Sequence, residues 1–425
     1  MEKTAMIGFG CAGYHALRTM RQQGYQGEIH VYANVSHPPA NPMLTTYYVA
    51  GRIPYEGMFP FGSLQELASE YQAVLHMDTN VLRVDTASRQ VILSDQTAEA
   101  YDQILIATGA RAVSPALGGG SQNRRFLMRT AQDALQLKKL LDEGNVSSAV
   151  VVGASMVGIK VVELLHDRGI SVVLTDLAPR MFPLACMEET AQEIRKDLER
   201  RGIVTMLGSG VDRTETYEQG IFTYLSDGRV LESDILVLCM GTRANVELVA
   251  NTQVIDSEPV KVNRGIVVDR RMQTTVPGIY AAGDCCEGLN IQTGETALIG
   301  LWANAAEQGR CAGVNMAGGD VLYGGSLPSN ITHYFDVDFV GVGDPNIPGH
   351  RHIFRRGKET YALTEQDGRI SCVNILGNYR NSGMIHQALT KIIAGEDPEF
   401  GPDRWGLLEA GGVPEEFLTF MGGLL

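Results

Sequence analysis

Cysteine is scarce and unpaired in this chain. Seven occur in 425 residues, an odd number, with no CxxC and no metal-ligand spacing. That excludes a disulfide-stapled secreted scaffold, no metal is expected, and a reducing cytoplasm is the expected setting. Positive charge is also in deficit: 35 Lys and Arg face 49 Asp and Glu, a net charge of −14. A phosphate backbone needs a basic surface, so no nucleic-acid partner is expected. A small acidic electron carrier would need a local basic patch to dock. Long apolar runs are missing too: none reaches the roughly 20 residues of a bilayer-spanning helix. The start, Met1-Glu2-Lys3-Thr4, has neither the basic region nor the apolar core of a signal peptide. Trp405-Gly406-Leu407-Leu408 and Phe417-Leu418-Thr419-Phe420-Met421 near the C-terminus are apolar. They are expected to form a docked tail or partner surface rather than a membrane-surface helix.

Glycine, by contrast, is abundant at 48 residues, as in proteins that bring backbone close to bulky ligands. The length exceeds what one core accommodates and suggests two or three domains. An internal repeat organises the first half. Ala5-Met6-Ile7-Gly8-Phe9-Gly10-Cys11-Ala12-Gly13 leads through an amphipathic stretch to Gly24 and the strand Glu28-Ile29-His30-Val31-Tyr32. Val150-Val151-Val152-Gly153-Ala154-Ser155-Met156-Val157-Gly158 leads likewise to Gly169 and Ser171-Val172-Val173-Leu174-Thr175-Asp176. Gly24 follows Gly8 at the interval at which Gly169 follows Gly153. Each copy has the order strand, tight turn, helix, strand, a βαβ unit with a buried parallel sheet.

Further along, Tyr101 to Gly109 has the character of a buried strand, and Thr130-Ala131-Gln132-Asp133 of a capping box opening a helix toward Leu141. Phe222 to Met240 suggests short strands with an Asp227-Gly228 hairpin. Gly265–Asp269 and Gly278–Asp284 follow as strands. From about Tyr323 the pattern changes to strands at Phe335–Val342, Tyr361–Thr364 and Ile370–Leu376, then a helix from Ser382, an α+β module.

Gly8-x-Gly10-x-x-Gly13 stands after a strand and opens a helix, the context a dinucleotide fingerprint needs. The first glycine makes the turn, the second admits a pyrophosphate, the third packs helix on strand, and the helix N-terminus stabilises the anion. The second copy, Gly153-x-Ser155-x-x-Gly158, has a small side chain at the middle position. Asp176 ends the second strand where a carboxylate accepts the ribose hydroxyls of NAD and repels the 2′-phosphate of NADP; nearby Arg180 keeps NADP as the minority reading.

These motifs, with Ala107-Thr108-Gly109, Met240-Gly241-Thr242-Arg243 and Tyr280-Ala281-Ala282-Gly283-Asp284, resemble the pyridine-nucleotide flavoprotein reductases of the glutathione-reductase-like two-dinucleotide fold. The likeness runs over essentially the whole chain. It implies an α/β fold of two Rossmann-like three-layer nucleotide-binding domains plus a C-terminal α+β dimerisation domain. The expected boundaries are 1–112 with 246–322 for FAD, 113–245 for NAD(P)H and 323–425 for the homodimer interface. The resemblance implies FAD contacts from Gly8, Gly10, Cys11, Ala12, Gly13, Asn34, Asn41, Ala107, Thr108, Gly109, Gly283 and Asp284. It implies NAD(P)H contacts from Gly153, Ser155, Met156, Val157, Gly158, Asp176 and Gly241. Pro39 to Thr45 and Leu301-Trp302-x-x-Ala305-x-x-Gln308-Gly309-Arg310 look most like the NADH-oxidising module of nitrite reductases, rubredoxin and ferredoxin reductases, NADH oxidases and coenzyme A disulfide reductases. Gly325-Ser326-Leu327-Pro328-Ser329-Asn330 and Gly377-Asn378-Tyr379-Arg380-Asn381 resemble their C-terminal domain.

The departures bear on mechanism. The CxxxxC of the dithiol reductases is absent, and no redox Cys stands near Asn41-Pro42-Met43. Cys285 and Cys286 beside Asp284 could bridge only through a strained ring. Ala33-Asn34-Val35 replaces the strand-end carboxylate that holds the FAD ribose in relatives, with Asn34 as the substitute. Lys160 occupies a position where many relatives have Glu, near the nicotinamide pocket; it is either a helix-surface Lys with a solvated head or part of an altered hydride-transfer site. The expected function is an FAD-dependent NAD(P)H oxidoreductase, NADH before NADPH, that passes electrons without a thiol relay to a ferredoxin- or rubredoxin-type iron–sulfur protein. The alternatives are an FAD-binding electron-transfer or assembly subunit with a degenerate nicotinamide site, and an NADH oxidase or quinone reductase.

Overall fold

Four of the five residues of the strand Lys3–Ile7 are buried, an apolar run rather than an alternation, which suits a parallel strand covered on both faces. It pairs in parallel with Glu28–Tyr32 on one side and Gln103–Ile106 on the other, Ile7 standing opposite Tyr32 and Ile106. With Ala73–His76 and Ile279–Ala281 it makes a five-stranded parallel sheet in the order 279–281, 103–106, 3–7, 28–32, 73–76. The second copy does the same. Ser148–Val152 is central to a parallel sheet in the order 125–127, 235–238, 148–152, 171–176, 204–207.

The two sheets match strand by strand, and each carries a three-stranded antiparallel sheet at the corresponding point of the chain. These are Val81–Asp85, Gln90–Leu93 and Ala98–Ala100 in the first, and Val211–Thr216, Ile221–Leu225 and Val230–Ser233 in the second. The duplication therefore extends well past the βαβ units. Antiparallel meanders require only a period of two, which many residue sets satisfy, so the two copies need share no residues there.

A computed structural model describes residues 2–118, 122–250, 259–396 and 402–423. The chain forms two compact units, Met1–Arg111 with Thr242–Ser326, and Ala112–Gly241 with Leu327–Leu425. In the first, helix Cys11–Gln22 packs against helix Trp302–Met316 through glycines. A Cβ on Gly309 would lie 2.3 Å from the Ala12 carbonyl oxygen, and one on Gly313 would lie 2.7 Å from that of Ala16. Only hydrogen fits at those two positions.

In the second unit the expected capping box is present. The Thr130 hydroxyl accepts from the Asp133 amide (3.1 Å) and the Asp133 carboxylate accepts from the Thr130 amide (2.8 Å), opening helix Ala131–Asp142. The C-terminal sheet has the antiparallel order 329–334, 337–343, 369–376, 359–366, 350–356. The strand expected from Phe335 is corrected: Phe335, at φ 49°, lies in the turn between strands Ser329–Tyr334 and Val337–Gly343. His350–Arg356 gave no strand signal because five of its seven residues, HRHIFRR, are Arg or His. It is an edge strand, where charge is common. Arg351 and Arg355 on it pair with Glu189 (2.9 Å) and Glu193 (2.7 Å) of helix Glu188–Arg200. Asn374, fully buried, donates to the Ala185 carbonyl (3.0 Å) and accepts from the Met187 amide (2.7 Å).

The apolar tail folds back on this sheet. Leu408, Phe417 and Met421 are buried, and the Phe417 ring meets Phe354 at 5.6 Å and Tyr361 at 5.5 Å. Among the described residues no helix is long and apolar enough to cross a membrane.

Candidate functional site

Each parallel sheet ends in a glycine cradle. Gly8 has φ 103°, and a Cβ there would sit 2.1 Å from the Ala107 carbonyl oxygen. A Cβ on Gly13 would sit 2.3 Å from the Gly8 oxygen, whereas one on Gly10 would meet nothing within 4 Å. The first and third glycines are thus required by the protein's own backbone. The middle one faces open space, where a pyrophosphate can approach. Gly10 opens helix Cys11–Gln22 without any side-chain cap and with no acidic residue in the first turn. Helices from Leu64 and Ala131 are closed by Ser63 and Thr130 capping boxes, whereas this start, like those of the helices from Glu188, Trp302 and Ser382, has no side-chain cap; here the uncapped amides follow the open Gly10 position, an arrangement that suits an anion.

Distant segments converge on this cradle. Gly283 has φ 87°; a Cβ on it would meet that of Ala12 at 3.0 Å, and its amide donates to the Gln308 side chain (2.8 Å). Asp284 is half-buried, and its carboxylate is close enough to Cys11 to add to burial in pushing that thiol up to about 12. Ala107 donates to Ile7 (2.7 Å), extending the parallel pairing to the cradle's edge. Thr108 is tied to Asn245 twice: its hydroxyl donates to the Asn245 carbonyl (2.7 Å), and its carbonyl accepts from the Asn245 side chain (2.9 Å). Gly109, at φ 64°, turns the chain just beyond. Asn34 is exposed just past the strand Glu28–Tyr32, and Asn41 caps a short turn by accepting from the Met43 amide (3.0 Å). Asn245 was missed in the sequence, and Gln308 was quoted there without a role. Gln308, 1% exposed, is an amide buried on an apolar helix face, which is the signal that could have found it.

The second cradle repeats the geometry. Gly153 has φ 114° with a Cβ position 2.2 Å from the Cys239 oxygen, and Gly158 would meet the Gly153 oxygen at 1.9 Å. Ser155 turns its side chain into the loop: the hydroxyl donates to the Cys239 carbonyl (3.0 Å) and accepts from the Gly158 amide (3.1 Å). Its hydroxyl therefore braces the turn and caps the helix Met156–His166, on whose first turn Met156 is half-buried and Val157 exposed. Asp176 accepts the Ala154 amide on one oxygen (2.6 Å) and the Ala178 amide on the other (2.7 Å). One further lone pair on each oxygen suits a ribose diol. Gly241, at φ 87°, accepts from the Val113 amide (3.0 Å).

One of the two alternatives for Lys160 is corrected. Lys160 has no solvated head: it is 9% exposed and ion-paired with Glu163, itself 2% exposed, one turn along the helix. A pair at positions i and i+3 shares one helix face, and pairing offsets the cost of burying both charges. Arg180 turns to the Pro183 carbonyl (3.0 Å) and the Asn346 side chain.

All seven cysteines are free and buried. Burial pushes Cys239 up to about 12 and Cys311 to about 11, and raises Cys285, Cys286, Cys186 and Cys372 as well. Thiolate, the form that attacks and relays, is disfavoured at each.

Both cradles fit a dinucleotide on this geometry: each has first and third glycines that no side chain could replace, with an open middle position at Gly10 in the first and a small Ser155 folded onto its own turn in the second. Known proteins agree. The NADH oxidase of Methanocaldococcus jannaschii is 28% identical over 346 residues, 80% of this chain and 76% of that one. The NADH-dependent phenylglyoxylate dehydrogenase subunit epsilon of Aromatoleum evansii is 27% identical over 403 residues, 92% of this chain and 91% of that one. The ferredoxin–NAD(+) reductase component of the biphenyl dioxygenase system of Paraburkholderia xenovorans is 28% identical over 303 residues, 70% and 71%. A family model described as pyridine nucleotide-disulphide oxidoreductase matches residues 2–309, and with that match over most of its length the chain belongs to this family of oxidoreductases.

Proposed function

We propose that the first cradle holds FAD and the second NADH, and that electrons leave the flavin for an iron–sulfur carrier protein without passing through a thiol. The observation that carries the route is the state of the cysteines: seven buried, free and protonated thiols offer no relay. When bound, the two cofactors supply the redox chemistry, hydride passing from the nicotinamide to the flavin.

The chain's own residues bind and align. Gly10 and the uncapped amides after it take the FAD pyrophosphate, and Asp284 at the end of Gly283 takes hydroxyls of the same cofactor. Ser155 and Gly158 keep the second turn closed so that the Met156–His166 helix points its N-terminus at the other pyrophosphate. Asp176, braced by Ala154 and Ala178, selects the unphosphorylated ribose. The assignment of 1–112 with 246–322 to FAD, 113–245 to NADH and 323–425 to a homodimer interface belongs to the same reading. Sedimentation velocity tests its last part, and a monomer at all concentrations would remove it.

The biphenyl dioxygenase relative is a ferredoxin reductase, which favours an iron–sulfur acceptor. A second reading is favoured by the relative matched nearly end to end, a subunit of an NADH-dependent dehydrogenase: this chain would then exchange electrons within a larger complex. Anaerobic stopped-flow mixing of the FAD-loaded protein with NADH tests both. Rapid bleaching followed by fast reoxidation with a ferredoxin or rubredoxin supports the first. Bleaching with slow turnover on free carriers, oxygen and quinones, together with a co-purifying dehydrogenase, supports the second. No bleaching by NADH or NADPH sinks the nicotinamide assignment. Asp176→Ala should raise the NADH requirement roughly tenfold and narrow the preference over NADPH; unchanged values for both would remove Asp176 from the site.

A further inference from the structure

The segment after Asp176 is a rim closed on the second cradle. The Asp176 carboxylate accepts the Ala154 amide (2.6 Å), and the Phe182 amide donates back to the Ala154 carbonyl (2.8 Å). Both backbone groups of one cradle residue thus hold the two ends of residues 176–182. Behind the rim, Ser209 donates to the Asp176 carbonyl (2.9 Å) and Gly208 to that of Ala178 (3.0 Å). Phe182 is held at φ 48°, left-handed backbone that a bulky residue adopts only under constraint, with its ring buried against Phe339 at 5.2 Å. The rim is tied to the cradle at both ends. What it carries lies within a few residues of Asp176 in the chain.

It carries a single cation. Between Asp176 and Met187 the only Lys or Arg is Arg180. Its terminal nitrogen donates to the Pro183 carbonyl and the Asn346 side-chain oxygen, while its buried Nε has no hydrogen-bond partner. Asn346 is fixed in turn. Its amide donates to Asp344 (2.9 Å), and its side-chain nitrogen donates to Asp344 (3.0 Å) and Pro183 (3.4 Å). The guanidinium is thus parked on neutral acceptors through one terminal nitrogen, with its Nε unspent, although a phosphate would take it bidentately.

NADPH differs from NADH by a doubly anionic phosphate on the adenosine 2′-oxygen, at the position where Asp176 offers a carboxylate. We propose that Asn346 is a positioning residue that latches Arg180 away from this position, and that latch and carboxylate together make the enzyme refuse NADPH. The inference rests on the assignment of the second cradle to the nicotinamide dinucleotide. It adds a determinant of specificity from residue 346, in the C-terminal part of the chain, that does not touch the cofactor.

The test uses the FAD-loaded full-length protein and flavin bleaching by NADPH and by NADH. Asn346 is exposed, so Asn346→Ala should leave the fold intact. It should lower the half-saturating NADPH concentration about tenfold, the worth of a hydrogen bond to a charged group, with the limiting bleaching rate and the NADH kinetics unchanged. Arg180→Ala alone should change neither cofactor's kinetics, because the latched guanidinium does not reach the phosphate. The double variant Arg180→Ala with Asn346→Ala should return NADPH to the starting value, which a merely loosened rim would not do. If NADH bleaches the flavin normally and Asn346→Ala leaves NADPH where it was, the latch is wrong. A gain that survives the loss of Arg180 overturns it equally. A protein that NADH does not bleach at all fails earlier, at the cradle assignment, and the two failures are told apart by the NADH trace.

Discussion

At the scale of single residues the cradles separate what folding needs from what the ligand needs. Gly13 and Gly10 lie three positions apart, yet a Cβ on the first meets a carbonyl oxygen at 2.3 Å and one on the second meets nothing within 4 Å. Gly13→Ala should cost about 1–3 kcal/mol, read as a lower Tm of the flavin-free protein, because backbone must move. Gly10→Ala should leave that Tm within a few degrees and still cut the flavin content, since its methyl occupies the space a pyrophosphate uses. A Gly10→Ala protein that keeps its full FAD would remove this position from the site. The thiols give a pH prediction. Burial holds Cys11 and Cys239 at about 12 and Cys311 at about 11, above the ordinary value of 9.0. A raised folded-state pKa contributes stability that is whole below the unfolded value and is lost as pH climbs through 11 to 12. The native protein should therefore react slowly with an aromatic disulfide reagent at pH 8 and release all seven thiols only in denaturant. Iodoacetamide pretreatment should leave flavin bleaching and acceptor turnover unchanged; a fast-reacting thiol whose blocking stops turnover would restore the relay.

Among elements, the starts of the helices divide by whether a side chain closes the first turn. Ser63, Thr130 and Ser155 spend their hydroxyls on their own first turns, while Gly10 leaves that turn open. Thr130→Ala should cost about 1 kcal/mol of stability, measured by urea unfolding, and leave the bleaching rate untouched. A changed bleaching rate would mean that helix Ala131–Asp142 serves the site directly. The Thr130 box was legible because its donors and acceptors lie within four residues. The crossing of helices Cys11–Gln22 and Trp302–Met316 was not. Gly309 is required by Ala12, nearly three hundred positions earlier, and nothing near Gly309 announces it.

Over the whole molecule, one sheet design is used twice, and the chain after residue 327 joins the second copy through Arg351, Arg355 and Asn374. The apolar tail completes this unit. Ending the chain after Arg404 would strip Phe417 from Phe354 and Tyr361 and leave apolar surface bare. The truncated protein should be less soluble and melt lower, as seen by light scattering and calorimetry. Better solubility with loss of quinone reduction would instead speak for a membrane-facing tail.

What the sequence determined alone was whatever is local or missing. The glycine spacing of each turn, the strand-end place of Asp176 and the Thr130 cap are patterns legible within a few residues, even though Gly8 and Gly153 are required by the distant Ala107 and Cys239 carbonyls, and the lack of a CxxxxC needs no coordinates to be read. The tertiary structure decided the rest, because the deciding partner lies elsewhere in the chain or on a face the sequence does not display. Lys160 is paired and buried rather than solvated since both faces of its helix are covered. Ser155 serves its own turn because the Cys239 carbonyl stands beside it, and Arg180 is held by Asn346. A side chain's type can be read in order along the chain. Its partner is chosen by packing.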